Sequence, residues 1–153
     1  MTWCSLFMNH VGGGFDPHDC WQSDGFWPDR VRAQLDDLHV WGCGLSLSYC
    51  GSGNLVQYLG YTSGRMLPEM LLGFAVLGCN HCADITTSII LTFGDHFPRD
   101  DRQRNNFVYR HENAFNAFDV PLWNAWASDD FDHKAEQYYE TYCTRHGVSP
   151  STV

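Results

Sequence analysis

Apolar positions along the chain fall into stripes of two periods. Trp27, Val31, Leu35 and Leu38 recur at spacings of four, four and three, which predicts a helix over 28–41. Pro28 suits its first turn, where a missing N–H leaves no helical bond unmade, and Gly42 offers a stop. Leu45, Leu47 and Tyr49 then alternate with Gly44, Ser46 and Ser48, the period of a half-buried strand. Gly51-Ser52-Gly53-Asn54 has hairpin length, so Leu55 to Tyr61 reads as the returning strand. Met70 to Phe74, apolar without alternation, reads as a third, central strand. Cys82, Ile85, Ile89 and Phe93 mark the apolar face of a helix over 80–93. Residues 94–106 read as a polar loop, Phe107 to Tyr109 as a short strand, and 111–127 show no assignable period. The last helix, over 129–146, has Ser128 as its cap and Asp129, Asp130 and Asp132 in its first turn. Phe131, Ala135, Tyr138 and Tyr142 form its buried stripe, and Gly147 and Pro150 close it.

The expected architecture is a single α+β domain over 1–153. A small antiparallel sheet of three to five strands is flanked by about three helices. Residues 1–26 read as an irregular segment packed on that domain. Gly12 to Gly14 and Asp16-Pro17 break regular structure there, while Trp3, Phe7, Phe15 and Trp21 anchor it.

Composition narrows the function classes. The chain has 153 residues, 44% of them hydrophobic, enough for one domain with its own core. Eighteen acidic residues against nine basic ones give a net charge of −9, and no basic run occurs. Gripping a phosphate backbone needs clustered Lys and Arg, so nucleic acid is disfavoured, and a protein or small-molecule ligand is the expected partner. The longest mostly apolar stretch, Met66 to Leu77, contains Glu69 and is too short to span a bilayer. No basic residue precedes the apolar patch of Met1 to His10, which makes a poor signal peptide. The expected location is therefore the reducing cytoplasm. Seven cysteines, an odd number, then point to thiols or metal ligands rather than a disulfide framework. Lys134 is the single lysine against eight arginines, a skew that suggests a GC-rich bacterial or phage genome.

Several pieces in order resemble a bacterial and phage family known as domain of unknown function 4262. They are Cys20-Trp-Gln-Ser-Asp24, then Leu38-His-Val-Trp-Gly42, then Gly60-Tyr61-Thr62-Ser63-Gly64 followed by Leu67-Pro68-Glu69-Met70-Leu71-Leu72-Gly73. Tyr-Thr-x-Gly and Pro-Glu carry most of the likeness. The resemblance implies an α+β fold and assigns no activity.

The strongest chemical candidate is Cys79-Asn80-His81-Cys82. Two thiolates two residues apart can grip one Zn²⁺ from a turn entering a helix, and His18 and Cys20 are the best further ligands, giving a Cys₃His site. The competing reading makes Cys79 and Cys82 buried packing residues. A redox pair is a third reading, since a helix N-terminus lowers a thiol pKa. The His-x-Glu and Pro-Cys-x-x-Cys signature of zinc nucleobase deaminases is absent: His18-Asp19-Cys20 has no glutamate, and Gly78 precedes Cys79. Cys43 and Cys50 flank the first expected strand and read as core. Glu69 beside Tyr61 and Thr62 is a candidate general base, with Arg65 the nearest ion-pair partner in sequence; its plainer reading is a structural ion pair. Asp95, His96, Asp100 and Asp101 form a polar group without ligand spacing. No nucleophile elbow, P-loop or dinucleotide fingerprint is present.

Six Trp, seven Tyr and ten Phe make the chain rich in rings, and Trp123 and Trp126 stand out near the C-terminus. Aromatic residues are enriched at binding surfaces, and they also fill cores. The sequence therefore predicts a non-catalytic interaction or ligand-binding protein of bacterial or phage origin, with a candidate structural zinc site. The alternative is a small metal- or cysteine-dependent, hydrolase-like enzyme built on the Cys79/Cys82 region. Tyr61, Glu69, Trp123 and Trp126 are the binding candidates.

Overall fold

The computed structural model describes residues 54–149 together with Asp36, Asp37, His39, Val40 and Cys43. Every regular element among the described residues is helical, and no strand occurs among them. The chain runs through α1 (Leu55–Gly60), a 3₁₀ turn (Thr62–Met66), α2 (Leu67–Leu77) and α3 (Asn80–Thr92). It continues through α4 (Asp101–Arg110), α5 (Glu112–Asn116), α6 (Asp119–Ser128) and α7 (Phe131–His146).

The α+β expectation is thus overturned. The expected strand at 45–49 lies outside the described residues, but the other three strand assignments fall on helices. Leu55 to Tyr61 forms α1 because Asn54 acts as a helix cap rather than a hairpin residue, its side chain accepting the Gln57 N–H at 2.8 Å. The buried set Leu55, Val56, Tyr58 and Leu59 then shares one helical face. Met70 to Phe74 lies inside α2, where Leu67, Met70, Phe74 and Leu77 are buried at helical spacing and Pro68 occupies the first turn. An unbroken apolar run has no period of its own to separate a buried helix from a central strand. Phe107 to Tyr109 belongs to α4, which buries Arg104 and Val108 four residues apart.

The helices over 80–93 and 129–146 are present as α3 and α7. The described residues of the first expected helix are also helical, and Cys43 remains so beyond Gly42. At the last helix the caps differ. Ser128 ends α6, while Asp130, in the left-handed conformation at φ 51°, stands at the cap position of α7. Tyr139 and Cys143 join Phe131, Ala135 and Tyr142 on its buried face.

One core runs through the bundle. α2 packs on α3, α3 on α6, α1 on α4, and α7 closes over α2 and α6. Phe74 meets Phe131 edge-to-face at 5.7 Å, joining α2 to α7. Phe93, Phe97, Phe107 and Phe115 form a second aromatic knot where α3, α4 and α5 meet. Asp37, fully buried, accepts hydrogen bonds from Tyr138 Oη at 2.7 Å and Arg145 Nη2 at 2.8 Å, which ties the first helical residues to α7.

Gly73 makes the closest backbone approach. A Cβ there would fall inside van der Waals contact of the His39 carbonyl and the Cys43 side chain. Glycine inside a helix normally costs about 1 kcal/mol relative to alanine. Here the crossing reverses the sign. Gly73→Ala is expected to lower stability by about 1–3 kcal/mol, the usual range for overpacking. Urea denaturation of the purified variant checks this, and a gain in stability would contradict the tight crossing.

Candidate functional site

Tyr61 and Glu69 are brought to one polar cluster built around Arg104. The Arg104 side chain is fully buried and all five of its N–H groups are used. Nε donates to the Leu59 carbonyl at 2.8 Å, and Nη1 to the carbonyls of Pro98 at 3.3 Å and Arg99 at 3.1 Å. Nη2 donates to the Tyr61 carbonyl and to Asp101 Oδ1, both at 2.7 Å. Leu59 and Tyr61 lie at the C-terminal end of α1, where helical carbonyls have no intrahelical donor. Arg104 therefore caps α1 from a helix more than forty residues away.

Asp101 collects the rest of the cluster. It accepts from Thr62 Oγ1 at 3.0 Å and pairs with Arg65 Nη2 at 2.9 Å. Burial pushes its carboxyl up, but the hydrogen bonds from Arg104, Arg65 and Thr62 outweigh that and hold it below the usual carboxylate range. Glu69 lies in the first turn of α2 rather than on a strand. Its partner is Arg99, whose Nη1 donates to both carboxylate oxygens at 2.8 and 3.0 Å. The expected partner, Arg65, is taken by Asp101 and contributes its carbonyl to Arg99 at 3.1 Å. Gly64 belongs to the same turn, and a Cβ there would meet the backbone of Tyr58 and Leu59 at 2.7–2.8 Å. Tyr61 is half exposed, with its hydroxyl accepting from Gln57. Glu69 and Asp101 are fixed by guanidinium groups, which fits structural ion pairing.

The Cys79–Cys82 turn enters α3 at the core. Both thiols are fully buried. Burial pushes Cys79 up to about 11, with Lys134 opposing and Asp129 and Asp130 adding to the shift. Burial also raises Cys82, reinforced by its hydrogen bond to Asp129. The thiolate that redox exchange needs is thus suppressed at neutral pH. His18 and Cys20, the other two ligands of the expected zinc site, lie outside the described residues. Among the described residues no three His, Cys, Asp or Glu side chains converge to hold a metal ion.

Asp129 organises this turn. Its Oδ2 accepts the Cys82 backbone N–H at 2.7 Å and its Oδ1 lies 2.7 Å from His81 Nδ1. The carboxylate is 5% exposed, whereas the His81 ring is 70% exposed. Burial pushes the Asp129 carboxyl up, but the hydrogen bonds from Cys82 and His81 together hold it below its ordinary value. Asp129 was expected in the first turn of the last helix; instead it caps α3.

Trp123 and Trp126 stack at 5.3 Å with their planes 26° apart, and Trp126 packs edge-on against Phe131 at 4.6 Å. Trp126 is thereby rooted in the core, while Trp123 keeps 45% of its surface exposed. Exposed Val120, Trp123 and Ala127 follow one face of α6 at spacings of three and four.

Sequence reasoning missed Arg104, Asp129 and Asp37 as organising residues. Arg104 falls in the stretch read as a polar loop, Asp129 reads as a first-turn charge of the last helix, and Asp37 draws no reading. The available signal for Arg104 was its four-residue spacing to Val108 on one helix face. For Asp129 no local signal exists, because its partners lie 47 and 48 residues away.

The chain matches no protein-family model, no curated protein and no solved structure. No described helix is long and apolar enough to cross a membrane.

Two outcomes follow from this geometry. Arg104→Met takes the guanidinium donor from the Leu59 carbonyl, leaves the Tyr61 carbonyl with the Gly64 N–H, and removes the buried charge paired with Asp101, so a loss of about 3–5 kcal/mol is expected in chemical denaturation. A loss under about 1 kcal/mol would mean the guanidinium is not the clamp described. Cys79 and Cys82 should resist iodoacetamide at pH 7 in the folded chain and alkylate fully in denaturant. Site-resolved mass spectrometry reads this directly, and rapid native labelling at either position would contradict their burial.

Proposed function

We propose that this chain is a non-catalytic binding protein of the cytoplasm, which engages a protein partner through the Val120–Trp123–Ala127 face of α6. The single observation that carries the reading is Trp123, a large ring held outward by stacking on a core-rooted Trp126. A ring already fixed loses little conformational freedom on binding, and exposed rigid aromatics are the usual anchors of interfaces. The candidate catalytic carboxylates and thiols meanwhile serve as ion pairs and core. The two enzyme candidates of the sequence, Glu69 and the Cys79/Cys82 pair, are spoken for by Arg99 and by burial.

Charge defines the partner class. Between Arg110 and Lys134 the sequence contains no Lys or Arg, but it carries Glu112, Asp119, Asp129, Asp130 and Asp132. Of these, Glu112, Asp130 and Asp132 are exposed, and an apolar stripe flanked in sequence by such carboxylates suits a protein surface or peptide whose apolar side chains are flanked by Lys and Arg. A nucleic acid, itself anionic, is repelled by the same field.

A random peptide library panned against the intact chain tests this. Selected sequences should carry an apolar centre with basic flanks, and their binding should weaken as salt rises. Trp123→Ala should cost about 2 kcal/mol of binding, roughly a thirtyfold rise in Kd, with the circular dichroism spectrum unchanged. Peptides that bind Trp123→Ala as tightly as the parent, or that lack basic residues, would argue against this face.

A further inference from the structure

We propose that His81 is a nucleophilic modification site, accepting a phosphoryl group on Nε2 from small phosphoryl donors such as phosphoramidates and acyl phosphates. The argument starts from the carboxylate beneath it. Asp129 is 5% exposed and accepts at 2.7 Å from the position of His81 Nδ1. An ionised carboxylate can only accept, so the neutral imidazole carries its proton on Nδ1 and leaves the Nε2 lone pair free. The ring itself is 70% exposed, which makes Nε2 accessible to reagents in solution.

Asp129 and Asp130 place negative charge near this turn, and local features offset it for a phosphoryl electrophile. Substitution at Nε2 makes the ring cationic, and the buried Asp129 charge lies against the opposite nitrogen to offset it. A phosphoryl group on Nε2 is anionic and stands at the first turn of α3, a helix of 13 residues whose N-terminal dipole favours negative charge. Lys134, bound to the Gly78 carbonyl at 2.9 Å, adds a positive charge at the same turn. With phosphoramidate as donor, the Nε2 lone pair forms the N–P bond while the P–N bond to ammonia breaks. Ammonia leaves with that electron pair, and the Nδ1 proton stays on the ring against Asp129.

Three other exposed histidines among the described residues provide internal controls; His146 is set apart from them, because its Nε2 lies 3.9 Å from the buried Asp37 carboxylate. His96, His111 and His133 are exposed on the same chain, and none has a buried carboxylate at its ring nitrogen among the contacts observed. The full chain is treated with potassium phosphoramidate, and modification is followed site by site by mass spectrometry and ³¹P spectroscopy. His81 is expected to react at least about tenfold faster than His96, His111 and His133, the factor that about 1.4 kcal/mol of barrier lowering gives. In His81→Gln that fast, acid-labile phase disappears while the fold is kept. Asp129→Asn should bring His81 down to the rate of the controls.

Because Asp129→Asn also alters the acceptor of the Cys82 N–H at the start of α3, the ¹⁵N shifts of His81 in the unmodified protein are read independently. The Nδ1–H tautomer is expected. His81 reacting no faster than the three controls, or residing mainly as the Nε2–H tautomer, overturns the proposal.

Discussion

A fully buried guanidinium is the constraint on which much of the described bundle depends. A charge removed from water is tolerated only when every donor finds an acceptor. Arg104 therefore requires the end of α1, the segment at Pro98 and Arg99, and Asp101 to converge within hydrogen-bonding distance. Once Asp101 is placed there, it draws in Thr62 and Arg65. Arg99, held through its carbonyl, reaches Glu69 on α2. A single satisfied cation thus connects α1, the 3₁₀ turn, α2 and α4.

The same logic recurs at other helix ends. The Leu55 N–H at the start of α1 is accepted by Asp119 of α6 at 2.9 Å, across 64 residues of sequence. The start of α3 is accepted by Asp129, from the junction of α6 and α7. Helix termini leave backbone groups that must find partners. In this bundle short helices meet that need with side chains borrowed from distant elements, so the caps also serve as tertiary clamps.

This arrangement decides what chemistry remains available. Side chains with catalytic potential in isolation are committed inward: Glu69 to Arg99, Asp101 to Arg65 and Arg104, Cys79 and Cys82 to the core. The groups presented to solvent with a fixed orientation are different ones. Trp123 is held by Trp126, and the His81 ring is held by Asp129. Rigid support beneath an exposed group lowers the ordering cost of any contact it makes, which is the physical basis of both proposals.

The sequence by itself determined the two helices with strong local signals. α3 and α7 have apolar spacings that close on one face, and α7 ends in Gly147 at φ 64°. It also located Tyr61, Glu69, Cys79, Cys82, Trp123 and Trp126 as residues of interest. Their roles were not legible. Asn54 can turn a hairpin or cap a helix, and only packing of Leu55, Val56, Tyr58 and Leu59 selects the helix. The apolar run at Met70 to Phe74 suits a central strand or a buried helix equally. The approach of His39 and Cys43 to Gly73 is a fact of the assembled bundle. Ion pairing was decided last: Glu69 chose Arg99 over the nearer Arg65, and Asp129 capped a helix 47 residues back. Local spacing encodes which face of an element is apolar, but a buried charge is satisfied by whatever the folded chain brings within 3 Å, and no local pattern records that.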